Sequence, residues 1–165
     1  MLRGVARARG IEAINAFLEG SHVDLAGSLV HFCDTELANQ PEPGSDDDAR
    51  RVARQLLATL GKAGMYRPIA TGDLRALCLV REQVAYVDPL ADAVVALQAL
   101  GGTPLVIAGT DAQRRQWLDA IVNGRAMSAF AMSDISDEDR VSHGMAQVVQ
   151  RPSAAKLRCI GAPCV

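Results

Sequence analysis

The sequence predicts a mainly α protein: a bundle of about five or six helices followed by a short β or irregular C-terminal tail. Three observations carry this. Aromatic residues make up only 4 % of the chain, so the core must be built from Ala, Leu and Val, which suit closely packed helices. Apolar residues recur at three- and four-residue spacing through much of the sequence, the period of a helix with one buried face. Capping and helix-stopping residues stand at the ends of these periodic segments.

The elements follow in order. Residues 11–18 hold an apolar-rich turn or two, ended by Gly20. Ser21 is a good N-cap for a helix running to about Ala38, with Val23, Leu25, Leu29, Phe32, Cys33 and Leu37 at roughly helical spacing. Pro41-Glu42-Pro43-Gly44 ends it. Ser45 caps the next helix, Asp46, Asp47 and Asp48 fill its positive first turn, and Asp48 holds the capping-box position. That Asp run reads as a charged helix start and not as a metal cluster, because no opposing ligand set exists. Val52, Leu56 and Leu60 form its apolar stripe, Gly61 and Gly64 weaken its end, and Pro68 stops it. Thr71-Gly72-Asp73 starts a third helix reaching about Val87.

Asp88 breaks the chain, and Pro89 suits the first turn of a fourth helix. That helix is apolar nearly all round, the mark of the most buried member of a bundle, and Gly101-Gly102 ends it. Thr103-Pro104 opens a short helix to about Ala108. Thr110 or Asp111 caps another that ends at Gly124, with Trp117, Leu118, Ile121 and Val122 on its buried side and Arg114 and Arg115 on the other. From Ala126 to Met132 small and large residues alternate, as in a strand, and Val148-Val149 hints at a second. Residues 134–140 are dense in charge, and 151–165 have neither period nor caps.

Composition narrows the function. Net charge is −2, and no basic patch with interleaved aromatics gives a nucleic-acid footprint. No apolar run reaches the ~18 residues of a membrane span, so no membrane partner is expected. Arg3, Arg7 and Arg9 read as a solvated end and not as a targeting leader. The four cysteines show no CxxC pair and no histidine at ligand spacing, which argues against zinc. Cys33 and Cys78 are expected to be small buried side chains, and a reducing cytoplasm is the expected location. His22, His31 and His143 stand alone, and Glu82, Asp92 and Asp119 read as solvated faces. No nucleophile–base set, phosphate-binding glycine loop or metal cluster is found, so no catalytic residue is assigned.

Several short stretches together resemble one family, the flavin-dependent acyl-CoA dehydrogenases. His31 to Leu37 resembles the family's first-helix pattern, and Leu60-Gly61-Lys62-Ala63-Gly64-Met65 the end of its second helix. Leu100-Gly101-Gly102-Thr103-Pro104-Leu105-Val106-Ile107-Ala108-Gly109-Thr110 is similar to its Leu-Gly-x-x-Pro segment. Gln113 to Leu118, with Trp117-Leu118, resembles the helix that follows. Gly124-Arg125-Ala126 and Phe130-Ala131-Met132-Ser133 resemble the run into the family's middle β-domain. The likeness spans about residues 23 to 133.

It implies a division into a leader or short helix (1–20), a helical domain (21–125) and a divergent start of the β-domain (126–165). It implies α,β-dehydrogenation of an acyl-CoA thioester, FAD as cofactor and acyl-CoA as substrate. It places Phe130, Met132 and Ser133 at the flavin. Leu100 is either a residue lining the acyl pocket or a core leucine, since both need an apolar side chain. Ile135 stands where the family has Pro, and Glu138-Asp139-Arg140 where it has Gly-Ser-Asp, so the backbone that approaches the flavin closely is lost. The family's carboxylate base belongs to a C-terminal domain beyond the matched stretch. The expected reading is therefore a truncated form, inactive alone, produced by a frameshift or early stop. The alternative is a non-catalytic helical interaction or acyl-binding module that self-associates or pairs with a complementing dehydrogenase chain.

Overall fold

The computed structural model describes residues 11–131 and 145–150. The chain is mainly helical, as the sequence predicts. It runs through α1 (Ile11–Ile14), a 3₁₀ turn (Asn15–Phe17), α2 (Gly20–Phe32) with a π-helical turn (Cys33–Leu37), α3 (Asp46–Lys62), α4 (Arg67–Thr71) and α5 (Leu74–Val87). Next come α6 (Pro89–Ala108), α7 (Asp111–Val122), β1 (Ala126–Ala131) and β2 (Met145–Gln150). The two strands pair antiparallel, with Ala126 opposite Gln150 and Ala131 opposite Met145. Met132, Ser133, His143, the charged run 134–140, the arginines before residue 11, and Cys159 and Cys164 lie outside the described residues.

Ser45 and Thr110 cap the helices expected of them, and Asp73 and Asp88 are caps where the sequence reads a helix start and a chain break. Ser45 Oγ accepts from the Asp48 N–H, Asp73 from Ala76, and Asp88 from Leu90 and Ala91. Thr110 and Gln113 cap each other reciprocally. The cap of α2 is a correction: it is Glu19, not Ser21. Glu19 is extended, at φ −97° and ψ 166°, and its N–H donates to His22 Nδ1 at 3.0 Å, which places Ser21 already inside the first turn. Pro68 is a second correction. It does not stop α3, which ends at Lys62, but sits in the first turn of α4, where its missing N–H has no helical partner to lose.

The largest correction is α6. Gly101-Gly102 does not end it; the helix continues through both glycines and Pro104 to Ala108. Pro104 removes only the N–H that would meet the Leu100 carbonyl. The glycines serve close packing instead. A Cβ at Gly101 would lie 2.6 Å from the Ala129 nitrogen, and one at Gly102 2.9 Å from Ile69 Cγ2. At 20 residues and a mean hydropathy of 1.6, α6 is long and apolar enough to cross a membrane, against the expectation that no apolar stretch reaches that length. It packs against α3, α5, α7 and β1 within the bundle.

One core cluster joins Leu29 and Leu37, Leu56 and Leu60, Tyr66, Val80 and Val84, and Val95. A second joins Leu105, Trp117, Ile121 and Ala126, where α6, α7 and β1 meet. Cys33 is fully buried, and burial pushes its thiol up to about 11. Cys78 is exposed, contrary to expectation, because α5 buries Ala76, Leu79, Val80, Gln83 and Val84, and position 78 falls on the opposite face. Leu118 and Val122 are only half-buried, whereas Trp117 and Ile121 are buried as expected.

Candidate functional site

Helix α6 has two apolar arcs. One, with Val94, Val95, Gln98, Ala99, Gly101, Gly102 and Leu105, faces the bundle. The other carries Leu97 (49 % exposed), Leu100 (55 %) and Ile107 (75 %). These three fall on one stripe of the helix, with Pro104 between the last two. Leu100 therefore stands outside the core. Apolar surface left uncovered in this way costs solvation free energy.

On the bundle-facing arc, one buried side chain fixes the junction of α6 with β1. Gln98 is 1 % exposed. Its Nε2 donates to the carbonyls of Ile121 (3.1 Å) and Ala126 (3.0 Å), and its Oε1 accepts from the Ser128 N–H at 2.6 Å. The Ser128 hydroxyl lies 3.0 Å from both the Gln98 carbonyl and Gln98 Oε1, and donates to one of them. Ser128 is fully buried. Phe130 is half-buried and, by strand alternation, shares the Ala126–Ser128 face of β1. Met132 and Ser133 lie outside the described residues. Gln98 shows in the sequence only as a break in an apolar run; a lone amide in such a helix needs partners, and that is the signal that finds it.

Polar links between helices lie elsewhere. Asp92, read from sequence as solvated, takes both carboxylate oxygens to Arg81 at 2.9 Å and ties α5 to α6. His22 is 2 % exposed, with Nε2 3.0 Å and 3.2 Å from the Asp73 oxygens. Because Nδ1 accepts from Glu19, the proton sits on Nε2 and is donated to Asp73. Arg75 bonds Glu19 at 2.6 Å and the Phe17 carbonyl at 3.0 Å, which closes a network between the starts of α2 and α5.

The Ala76 N–H, and then the His22 hydrogen bond, hold the Asp73 carboxyl below its usual range. A carboxyl depressed in the folded state favours folding above its unfolded value, roughly pH 4, and that contribution is lost as pH falls through the folded value. Asp73→Asn keeps a cap but removes this dependence. Urea midpoints followed by Trp117 fluorescence should show a shallower acid limb in the variant, and an unchanged limb would refute the assignment.

Among the described residues, no three His, Cys, Asp or Glu side chains come together as a metal site. The comparison with known proteins decides the family. Residues 20–125 match the model of the acyl-CoA dehydrogenase N-terminal domain. The chain belongs to the acyl-CoA dehydrogenase family. It is 28 % identical over 124 residues to the probable acyl-CoA dehydrogenase fadE25 of Mycobacterium leprae, covering 71 % of this chain and 31 % of that protein. The corresponding proteins of Mycobacterium bovis and Mycobacterium tuberculosis are each 27 % identical over the same shares. The chain thus spans about a third of the length of these relatives, at 31 %.

Acyl-CoA dehydrogenases are generally flavin enzymes. Phe130 is the single expected flavin position among the described residues. The close approaches at Gly101 and Gly102 are filled by Ser128 and Ala129 and by Ile69 and Ile121, which leaves no glycine-lined space there for a phosphate or a ring.

Proposed function

We propose that this chain supplies the helical wall against which the acyl chain of an acyl-CoA thioester lies during α,β-dehydrogenation. The exposed stripe Leu97–Leu100–Ile107 of α6 carries this reading. An apolar helix face can hold a hydrocarbon chain without contributing to its chemistry. The Leu100 side chain would touch the chain, and Phe130 on β1 would face toward the flavin. A bound flavin would supply the hydride acceptor; this chain's own part is to orient the acyl chain and exclude water from it.

Residues 1–165 contain no assigned base. By themselves they are expected to bind acyl-CoA and leave it unoxidised, even with FAD and an electron acceptor added. The alternative role, a helical module that pairs with a complete dehydrogenase, uses the same apolar face.

Calorimetric titration with saturated acyl-CoA thioesters of four to sixteen carbons tests the proposal. Each methylene resting on one wall should tighten binding about twofold, half the effect of full burial. Leu100→Glu should remove the dependence while leaving the affinity for CoA itself unchanged. Equal affinity for all chain lengths in the parent chain would refute the acyl-wall reading.

A further inference from the structure

We propose that the small cavity between α1, α2 and α5 is a binding site for a single water molecule, held there by the side-chain amide of Gln83.

Gln83 is placed inward by the period of α5, whose buried positions are Ala76, Leu79, Val80, Gln83 and Val84. It is 8 % exposed. Its backbone carbonyl accepts the Cys33 thiol at 3.8 Å. Its side-chain Nε2 is buried and has no hydrogen-bond partner among the described residues. An amide N–H taken out of water and left unpaired forfeits the bonds that it made there, so buried amides are paired with protein or with ordered water. The same side chain lines a cavity. Ile11 of α1, Ala26 and Leu29 of α2, and Glu82 and Tyr86 of α5 line it with Gln83.

The size and chemistry of the cavity decide its occupant. Its volume is about 10 Å³. That is room for about one water, far below the ~150 Å³ that admits a benzene-sized molecule. A metal ion does not suit it, because an amide N–H only donates and Glu82 is the single carboxylate in the lining. A simple anion does not suit it either, because it would lie against that carboxylate. An entirely apolar cavity would stay dry. This one has a buried donor at its floor, and Glu82 and Tyr86, one helical turn apart on α5, are both exposed and bring a carboxylate and a hydroxyl to its rim. A water here accepts from Gln83 Nε2 and donates to Glu82 and Tyr86. Three bonds are the usual number for a buried water. No lining residue belongs to α6, so this site is separate from the apolar arc assigned to the acyl chain.

Oxygen-17 relaxation dispersion of solvent water tests this on the whole chain, since it counts waters held longer than the protein takes to tumble. Two variants are compared with the parent. Gln83→Met keeps the length of the side chain and removes the donor. Ala26→Val keeps Gln83 and fills the cavity with two methyl groups. Trp117 fluorescence reports that each is folded. The expected result is one long-lived water fewer in each folded variant than in the parent. A parent chain with no long-lived water would overturn the inference without any variant. A folded Gln83→Met with the parent count would overturn it too, and would mean that another part of the chain accepts the Gln83 N–H directly. If Gln83→Met does not fold, Ala26→Val decides: the loss of one water supports the site, and the parent count overturns it.

Discussion

Gln98→Leu is expected to cost about 4 kcal/mol of stability. The leucine fits the surrounding apolar helix and gains some transfer free energy. It leaves the Ile121 and Ala126 carbonyls and the Ser128 N–H without the partner they share. Each buried backbone group without a partner costs about 1–3 kcal/mol, and partial relaxation of the strand recovers part of the sum. Urea denaturation followed by Trp117 fluorescence measures it directly, since Trp117 is the single tryptophan and lies in the cluster beside the clamp. A loss below about 1 kcal/mol would mean that water or β2 satisfies these groups instead.

Gly61→Ala is the second large effect, at about 3 kcal/mol. A Cβ at Gly61 would lie 2.4 Å from the Gly124 nitrogen and 2.5 Å from the Asn123 carbonyl carbon. These are backbone atoms, so relief requires moving the turn that leads from α7 into β1. That turn is itself constrained: Gly124 has φ 64° and packs against the Leu57 carbonyl. The internal control is Gly27→Ala on α2, where an added Cβ meets nothing within 4 Å. There the gain in helix propensity should stabilise by about 0.5–1 kcal/mol. The same Gly-to-Ala change should therefore have opposite signs at positions 27 and 61, and equal signs in equilibrium unfolding would contradict the packing described for α3.

Much of the fold was legible because local rules and packing agree. Ser45, Asp73, Asp88 and Thr110 cap helices where a polar side chain precedes an apolar period. The reading failed where one residue type serves two purposes. Gly101 and Gly102 read as a helix stop, since glycine is enriched there, yet their reason is close approach to β1 and to Ile69. No single-sequence signal separates these uses. Missing the continuation of α6 also hid the stripe that joins Leu97 and Leu100 to Ile107, because position 107 fell in a separate short helix.

The site was legible only in part. Leu100 was singled out through its motif, and it stands exposed on α6. Gln98 was visible as an interruption, but its partners come from α7 and β1, 23 to 30 residues away, and spacing alone cannot bring them together. His22 read as isolated for the same reason, since Asp73 is 51 residues distant.

The claim that the exposed arc of α6 is an acyl-chain wall is tested most directly by photo-crosslinking. A dodecanoyl-CoA carrying a diazirine near its terminal carbon is bound to the chain, irradiated, and mapped by peptide mass spectrometry. Adducts are expected on Leu97, Leu100 or Ile107, competed away by unlabelled dodecanoyl-CoA. Competable adducts confined to another apolar surface, such as exposed Phe17 and Leu74 near the starts of α2 and α5, would contradict it.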